Sequence, residues 1–338
     1  DSNERGEGEH KILQYIKGNH CNGKICIYGL DADLIQLSLV SRINNIYLLR
    51  ETTEYNIENT DEEYIYLNIN SLKKQILQSL HLNIILNEDQ IIDDTIFLCM
   101  IFGNDFINHT PSINLRYNGY ESIFNTYKLL QDRYQGYFCL IDRELNNYLH
   151  LSFFNEFIQE LSNNESKRIN KIFHIRKRQY NKIVNQYNED FINFKNCLTE
   201  LNQNENKKYL SLEDIYRIKY SVGFYKKNID KMIENIPLLY SQNEKKIYEN
   251  IQYDKNLCSD YLDSLLWCVH YYFNECIHWR WCTEYNTAPT CKHLNKYLST
   301  INYFEIKKYN QEFTHEEQLS FIFPNDSHNL HEYKIKSK

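Results

Sequence analysis

Three short acidic stretches have the residue types and spacing for work on phosphate esters. In "GEGEHK" (6–11), Glu7 and Glu9 flank a single glycine; in "GLDADL" (29–34), Asp31 and Asp33 stand two apart; in "GNDF" (103–106), Asp105 follows a glycine and an asparagine. Hard divalent ions prefer carboxylate oxygens and keep several waters. Two such ions ~4 Å apart can activate a water and stabilise the leaving oxygen in phosphodiester hydrolysis. Each stretch also has a purely local reading. Glu7 and Glu9 share one face if the segment is extended; at the start of a helix they are simply charge favoured in a first turn. Asp31 reads equally as a helix N-cap with Asp33 beside it. Gly103 reads as a helix C-cap, with Asn104 and Asp105 in the turn that follows.

The elements that must position these acids follow from apolar periodicity. "KICIYGL" (24–30) reads as a buried strand, with "NIYLLR" (45–50) and "EYIYLNI" (63–69) as two more. Helices are expected at 10–17, at 31–40 with a capping Asp, and at 70–80 with an Asn cap; the nearly all-apolar 93–102 should be a buried helix carrying Asp93 and Asp94 at its start. This alternation predicts an α/β fold with a mainly parallel sheet. In such sheets ligands bind outside the carboxyl ends of strands, which is where Asp31 and Asp33 fall. From about 119 the period is helical, at 121–134, 151–162 and 261–275, with a short strand expected at 137–141. The basic run "KRINKIFHIRKR" (167–178) reads first as a solvated helix face, and as a phosphate contact second.

Composition bounds the rest. The 338 residues, 42% hydrophobic and 25% charged, can bury a sizeable core. Heavy use of Asn, Ile, Lys and Tyr with few Gly and Pro suggests an AT-rich genome, as in some giant viruses and protists. A net charge of −7 argues against a simple basic nucleic-acid binder but is compatible with a nuclease whose carboxylates are neutralised by metal. None of the ten cysteines forms a C-x-x-C pair, and the C-x5-C-x8-C-x-H spacing of Cys276, Cys282, Cys291 and His293 fits no common zinc knuckle. Reduced thiols in an intracellular compartment are expected, cytoplasmic or nuclear, or within a host cell or virion for a viral protein. No apolar run reaches the ~20 residues of a membrane span, so no membrane partner is expected.

"GEGEHKI", "YGLDADLIQLSL" and "DDTIFLCMIFGNDFINHTP" resemble, in this order, motifs of the Xrn/Rat-type 5′→3′ exoribonucleases. "LHLSFFNEFIQELSNNE" (149–165), "YLDSLLWCVHYYFNECIHWRW" with a following "AP" (261–289) and "FTHEEQLSFIFPNDSHNL" (313–330) resemble later blocks of the same family, so the likeness covers nearly the whole chain. It implies stepwise hydrolysis of single-stranded RNA carrying a 5′ monophosphate, with two Mg2+ or Mn2+ ions. It implies a PIN-like, flap-nuclease-type core over 1–118 and a helical second region over 119–338 that completes the pocket. The family's metal carboxylates correspond to Glu7, Glu9, Asp31, Asp33 and Asp105. Asp94 corresponds to an acid that supports them from behind, and His10 and Lys11 stand close to the site. Trp279 and Trp281 match the family's W-x-W, in which an aromatic ring stacks on a nucleobase. Stacking suits a sequence-blind enzyme, since every base has a π face worth ~1–3 kcal/mol. The alternative is a core anchor; Trp279 is the better placed of the two for stacking, and Trp267 is expected in the core.

The pattern also departs. Arg5 replaces a proline, Ile107-Asn108-His109 replaces L-P-H, and "CTEYNTAP" (282–289) replaces a tyrosine-rich segment that shapes the pocket. The family's two further metal carboxylates and its 5′-phosphate-gripping basic residues lie upstream of G-E-G-E. The expectation is therefore an N-terminally truncated chain, or a separately encoded N-terminal portion. Two other functions compete: a catalytically incomplete relative that binds RNA or a partner, and a flap-type DNA nuclease, against which the W-x-W block and the 313–330 segment speak.

Overall fold

Three stretches rich in Ile, Leu and Tyr become strands: β1 (Ile25–Tyr28), β2 (Ile46–Glu51) and β3 (Tyr64–Asn68). The computed structural model describes residues 6–19, 23–29, 31–52, 62–80, 87–205, 226, 252–285, 287–304, 313–314 and 317–318. The sheet order is β1-β2-β3. β1 runs parallel to β2, with Ile25 opposite Ile46; β2 runs antiparallel to β3, with Tyr47 opposite Asn68. Among the described residues the sheet is thus half parallel, not mainly parallel. A parallel neighbour needs a crossover connection, usually a helix. Residues 31–40 supply one between β1 and β2, whereas 52–63 lack the apolar period for another. Ile27, Ile46 and Leu48 point into the core.

Around the sheet the fold is mixed α/β and mostly helical. α1 (Gly8–Gly18) buries Leu13 and Ile16. α2 (Ala32–Val40) is capped by the Asp31 side chain, which accepts from the Asp33 N–H. α3 (Ile69–Leu80) begins one residue earlier than expected, and Asn68 serves its first turn in place of Asn70, accepting from Ser71 N at 2.9 Å. α4 (Glu88–Met100) starts five residues before the expected 93, capped by Asn87. Asp93 and Asp94 therefore lie inside the helix, both buried. α5 (Gly119–Arg133), α6 (Leu151–Ser162), α8 (Lys255–Phe273) and α9 (Cys291–Leu298) complete this unit, with α8 against α2 and α4 and α9 against α6. Residues 1–163 and 254–338 form this compact unit, and 164–253 form a second. The second contains α7 (Glu165–Glu205). The basic run 167–178 lies in α7 with Lys167, Lys171, Lys177 and Arg178 exposed, a solvated helix face. Of the closing segment 313–330, only Phe313, Thr314, Glu317 and Gln318 fall within the described residues; Arg5 does not. No helix among the described residues is long and apolar enough to cross a membrane.

The expected strand at 137–141 does not form; only an isolated antiparallel bridge joins Ile141 to Leu149. Phe138, Leu140 and Ile141 are buried, while Tyr137 is exposed. The backbone, however, is satisfied by a side chain. Asp94 Oδ1 accepts from Leu140 N at 3.0 Å and Ile141 N at 2.8 Å, while its Oδ2 accepts from the Tyr127 hydroxyl at 2.8 Å. Its neighbour Asp93 is met by Arg42 at 2.9 Å and by two nitrogens of Arg143 at 2.5 and 2.6 Å. One acid is neutralised by cations and the other by dipoles alone.

Burial pushes the Asp94 carboxyl up to about 7, opposed by the hydrogen bonds from Ile141, Tyr127 and Leu140. The folded state thus holds a proton that the unfolded chain, with a carboxyl near ~3.9, gives up over the intervening range. The contribution of Asp94 to stability falls as pH rises through that window and is lowest above pH 7. Asp94→Asn cannot ionise and keeps one accepting oxygen. Its urea midpoint should therefore improve relative to the parent between about pH 4 and pH 7.5. A flat difference would mean that Asp94 is ionised throughout. Asp94→Ala leaves buried donors unpartnered and should lose roughly 2–4 kcal/mol.

Candidate active site

Glu7 and Glu9 stand at the start of α1, not in an extended segment. Glu7 is the N-cap residue, with φ −74° and ψ 158°, and Glu9 lies in the first turn. Residues i and i+2 of a helix do not face each other, so the two acids diverge. Glu7 Oε2 accepts from the Tyr271 hydroxyl at 2.8 Å and lies 3.8 Å from His10 Nδ1. Asp31 and Asp33 stand at the start of α2, just beyond the end of β1, as strand-end placement requires. Asp105 sits in a turn closed from both sides. Asn104 Oδ1 accepts from Phe106 N and Ile107 N at 2.9 and 3.0 Å, and Gly103 adopts φ +88°. A Cβ on Gly103 would lie 3.0 Å from His109 N and 3.2 Å from Ile107 O, so the turn demands glycine.

The electrostatics tie these stretches together. Burial raises the Asp33 carboxyl above its ordinary value, and the charges of Asp31, Asp105 and Glu7 raise it further. Tyr272 counters part of this: its buried hydroxyl faces Asp33 without closing a hydrogen bond of good geometry. Four carboxylates from three separate segments therefore share one field. Glu9 enters beside His10, whose imidazole is held below its ordinary value by burial, against the Tyr271 carbonyl, Glu9 and Asp33, which favour its cation. Asp94 is elsewhere. Its hydrogen-bond partners are Gln90, Tyr127, Leu140 and Ile141, none of them a candidate ligand, so its acid fixes the 138–141 segment instead of backing the site.

Among the described residues, no three His, Cys, Asp or Glu side chains stand close enough together to enclose a metal ion as arranged. The donor chemistry fits a hard divalent cation all the same. The set is all carboxylate oxygen, and its like charges destabilise one another at Asp33 in the way a cation would relieve.

Beside the acids opens a polar cavity of about 400 Å3, lined by Gly6, His10, Lys11, Tyr271, Glu275 and Trp279 among others. Gly6 has φ +91°, and a Cβ there would touch Trp279 Cη2 at 3.4 Å, so the indole lies flush against the backbone that leads into Glu7. Behind the cavity runs a column of stacked rings. His10 stacks on Tyr271 at 3.9 Å, Tyr271 on Trp267 at 4.8 Å, and Trp267 on Trp281 at 4.7 Å between centroids. Phe106, next to Asp105, stands perpendicular to Tyr271 at 5.6 Å and tilts against Trp267 at 5.0 Å. The two tryptophans of "HWRW" thus differ: Trp281 ends the column, while Trp279 forms the cavity wall. Sequence reasoning passed over Tyr271, Tyr272 and Phe106. The signal for the tyrosines was there in two adjacent polar-tipped aromatics on an otherwise apolar helix face.

A family model described as XRN 5′-3′ exonuclease N-terminus matches residues 1–52, and one described as Xrn1 helical domain matches 85–246 and 238–332. The chain belongs to the Xrn family. Human 5′-3′ exoribonuclease 1 is 25% identical over 96% of this Xrn chain and 21% of its own length. An Acanthamoeba polyphaga mimivirus protein whose name places it among 5′-3′ exonucleases is 25% identical, over 96% of this chain and 72% of its own. The 5′-3′ exoribonuclease 1 of Schizosaccharomyces pombe is 25% identical over 94% of this chain and 31% of its own. The Xrn chain described here thus spans about one fifth of the human relative's length.

The turn that carries Asp105 depends on Gly103. Gly103→Ala forces a side chain onto a left-handed residue and against His109. It should lower the urea unfolding free energy by roughly 1–3 kcal/mol. An unchanged midpoint would show that the turn relaxes freely.

Proposed function

We propose that this chain is the catalytic part of a metal-dependent 5′→3′ exoribonuclease that removes nucleotides one at a time from single-stranded RNA bearing a 5′ monophosphate. One observation carries the reading: acids from three separate segments, Glu7, Asp31 with Asp33, and Asp105, come near enough for their charges to add to the burial that raises the Asp33 carboxyl, beside an aromatic-walled polar cavity. Glu7, Glu9, Asp31, Asp33 and Asp105 would hold two Mg2+ or Mn2+ ions. When bound, such ions lower the pKa of a water and stabilise the departing oxygen. The chain's own residues do the positioning. Trp279 offers a flat face to the terminal base, without regard to its identity. Lys11 brings a cation to the cavity, where the charge of the RNA backbone must be met. The column behind Tyr271 excludes water from one side of the acids. On this reading residues 1–118 are the later part of a PIN-like nuclease domain, and 119–338 form the helical region that completes its pocket.

A binding-only relative is the second reading. It is favoured by the lack, among the described residues, of three ligands already gathered around one point. Incubation of 5′-monophosphorylated RNA and its DNA counterpart with Mg2+ and this chain joined to the N-terminal portion that the family carries before G-E-G-E separates the readings. Shortening of the RNA from the 5′ end, abolished by EDTA, is expected. Asp33→Ala and Glu9→Ala should each lower the rate at least ~100-fold, a transition-state loss of about 2.7 kcal/mol. Binding without turnover would establish the second reading, and variants as fast as the parent would overturn the ligand assignment. Trp279→Ala should weaken RNA binding by roughly 5- to 150-fold, the range of one lost stacking contact. Trp281→Ala should instead show its main effect on thermal stability.

A further inference from the structure

Tyr271 makes four contacts that no other residue of the site combines. Its hydroxyl donates to Glu7 Oε2 at 2.8 Å. Its carbonyl oxygen lies 3.0 Å from His10 Nε2. Its ring is sandwiched between His10 and Trp267 and stands perpendicular to Phe106, the neighbour of Asp105. The same side chain lines the cavity that Trp279 also lines. The ring is buried, while the Glu7 side chain it bonds is half exposed and rests on the first turn of α1. A half-exposed glutamate with several free torsions samples many orientations unless a partner fixes one oxygen. A phenol keeps its proton at neutral pH and so remains a donor.

We infer that Tyr271 is a positioning residue that fixes the orientation of Glu7 and links it to the aromatic pocket. With Oε2 held by the phenol, the remaining oxygen of Glu7 is the one left for a cation. A base seated against Trp279 would press on the same rigid ring that carries this donor, so filling of the pocket and aim of the carboxylate are set by one side chain. The inference rests on the proposed role of Glu7 as a metal ligand.

Tyr271→Phe isolates the hydroxyl, since the ring, and with it the column, is retained. Three quantities are read on the full chain: Mn2+ binding followed by electron paramagnetic resonance, RNA binding in EDTA, and kcat with KM. Loss of an orienting partner typically weakens metal affinity or activity about 10- to 100-fold. The expected result is a Mn2+ Kd and a kcat changed within that range, with RNA affinity in EDTA, KM and melting temperature near the parent's. In a Glu7→Ala background, adding Tyr271→Phe should change nothing further, since the two act as a unit. A purely structural tyrosine would instead lower RNA affinity and melting temperature, and its effect would persist without Glu7; either outcome overturns the inference. If the parent binds Mn2+ and Tyr271→Phe binds it equally well, the positioning role fails while the metal reading stands. If the parent binds no Mn2+, the metal reading fails and takes this role with it.

Discussion

Repulsion among carboxylates is the constraint this structure is built around. Glu7, Asp31, Asp33 and Asp105 come from three segments, and left to themselves they would separate into water. Burial raises the Asp33 carboxyl and their closeness raises it further, a cost that packing elsewhere must offset. The offset comes from helix α8. Its Tyr271 ring stacks on His10 from α1 and its Trp267 ring meets Phe106 beside Asp105, while α8 itself packs against α2, which begins with Asp31 and Asp33. A single buried apolar helix thus gathers three acidic termini, and aromatic burial supplies the favourable term that like charges lack.

Two further acids show how the same side chain serves a different end when its surroundings change. Asp93 is matched by Arg42 and Arg143, whose guanidinium also lies over the Phe273 ring of α8. Asp94 has no cation among its hydrogen-bond partners and takes up the backbone N–H groups that would otherwise have needed a neighbouring strand. Both are buried inside α4. Their adjacency to "GNDF" in sequence makes them look like part of the acidic cluster. Their burial takes them out of it.

The tryptophans divide along the same line. Trp281 continues a column already made by Trp267 and Tyr271, so its ring is committed to packing. Trp279 is turned the other way by the tight turn in which Trp281 N donates to His278 O, whose carbonyl also accepts from Trp267 Nε1 at 3.0 Å. Arg280 between them is stacked on Phe313 and paired with Glu317 at 2.6 Å, in a capping box with Thr314. The short "HWRW" stretch therefore meets three different surroundings within four residues.

Much of this was legible in sequence because it depends on local periodicity and local chemistry. The strands β1, β2 and β3, the helices α1 to α6 and α8, the cap at Asp31 and the turn at Gly103 follow from alternation, from apolar periodicity, from a carboxylate before an apolar run, and from a glycine at the end of one; α7 was legible only as the basic helix face at 167–178, and α9 not at all. The acidic motifs themselves were legible too, since a motif is defined by residue type and spacing. What only the tertiary structure decided is which groups end up facing one another. The antiparallel return of β3, the use of Asp94 as a substitute strand partner, the divergence of Glu7 from Glu9 and the hydrogen bond from Tyr271 to Glu7 all join residues far apart in the chain or turn on a local geometry with two equal readings. Periodicity says which face of an element is apolar. It does not say which partner that face meets, because partner choice is settled by packing and electrostatics summed over the whole fold.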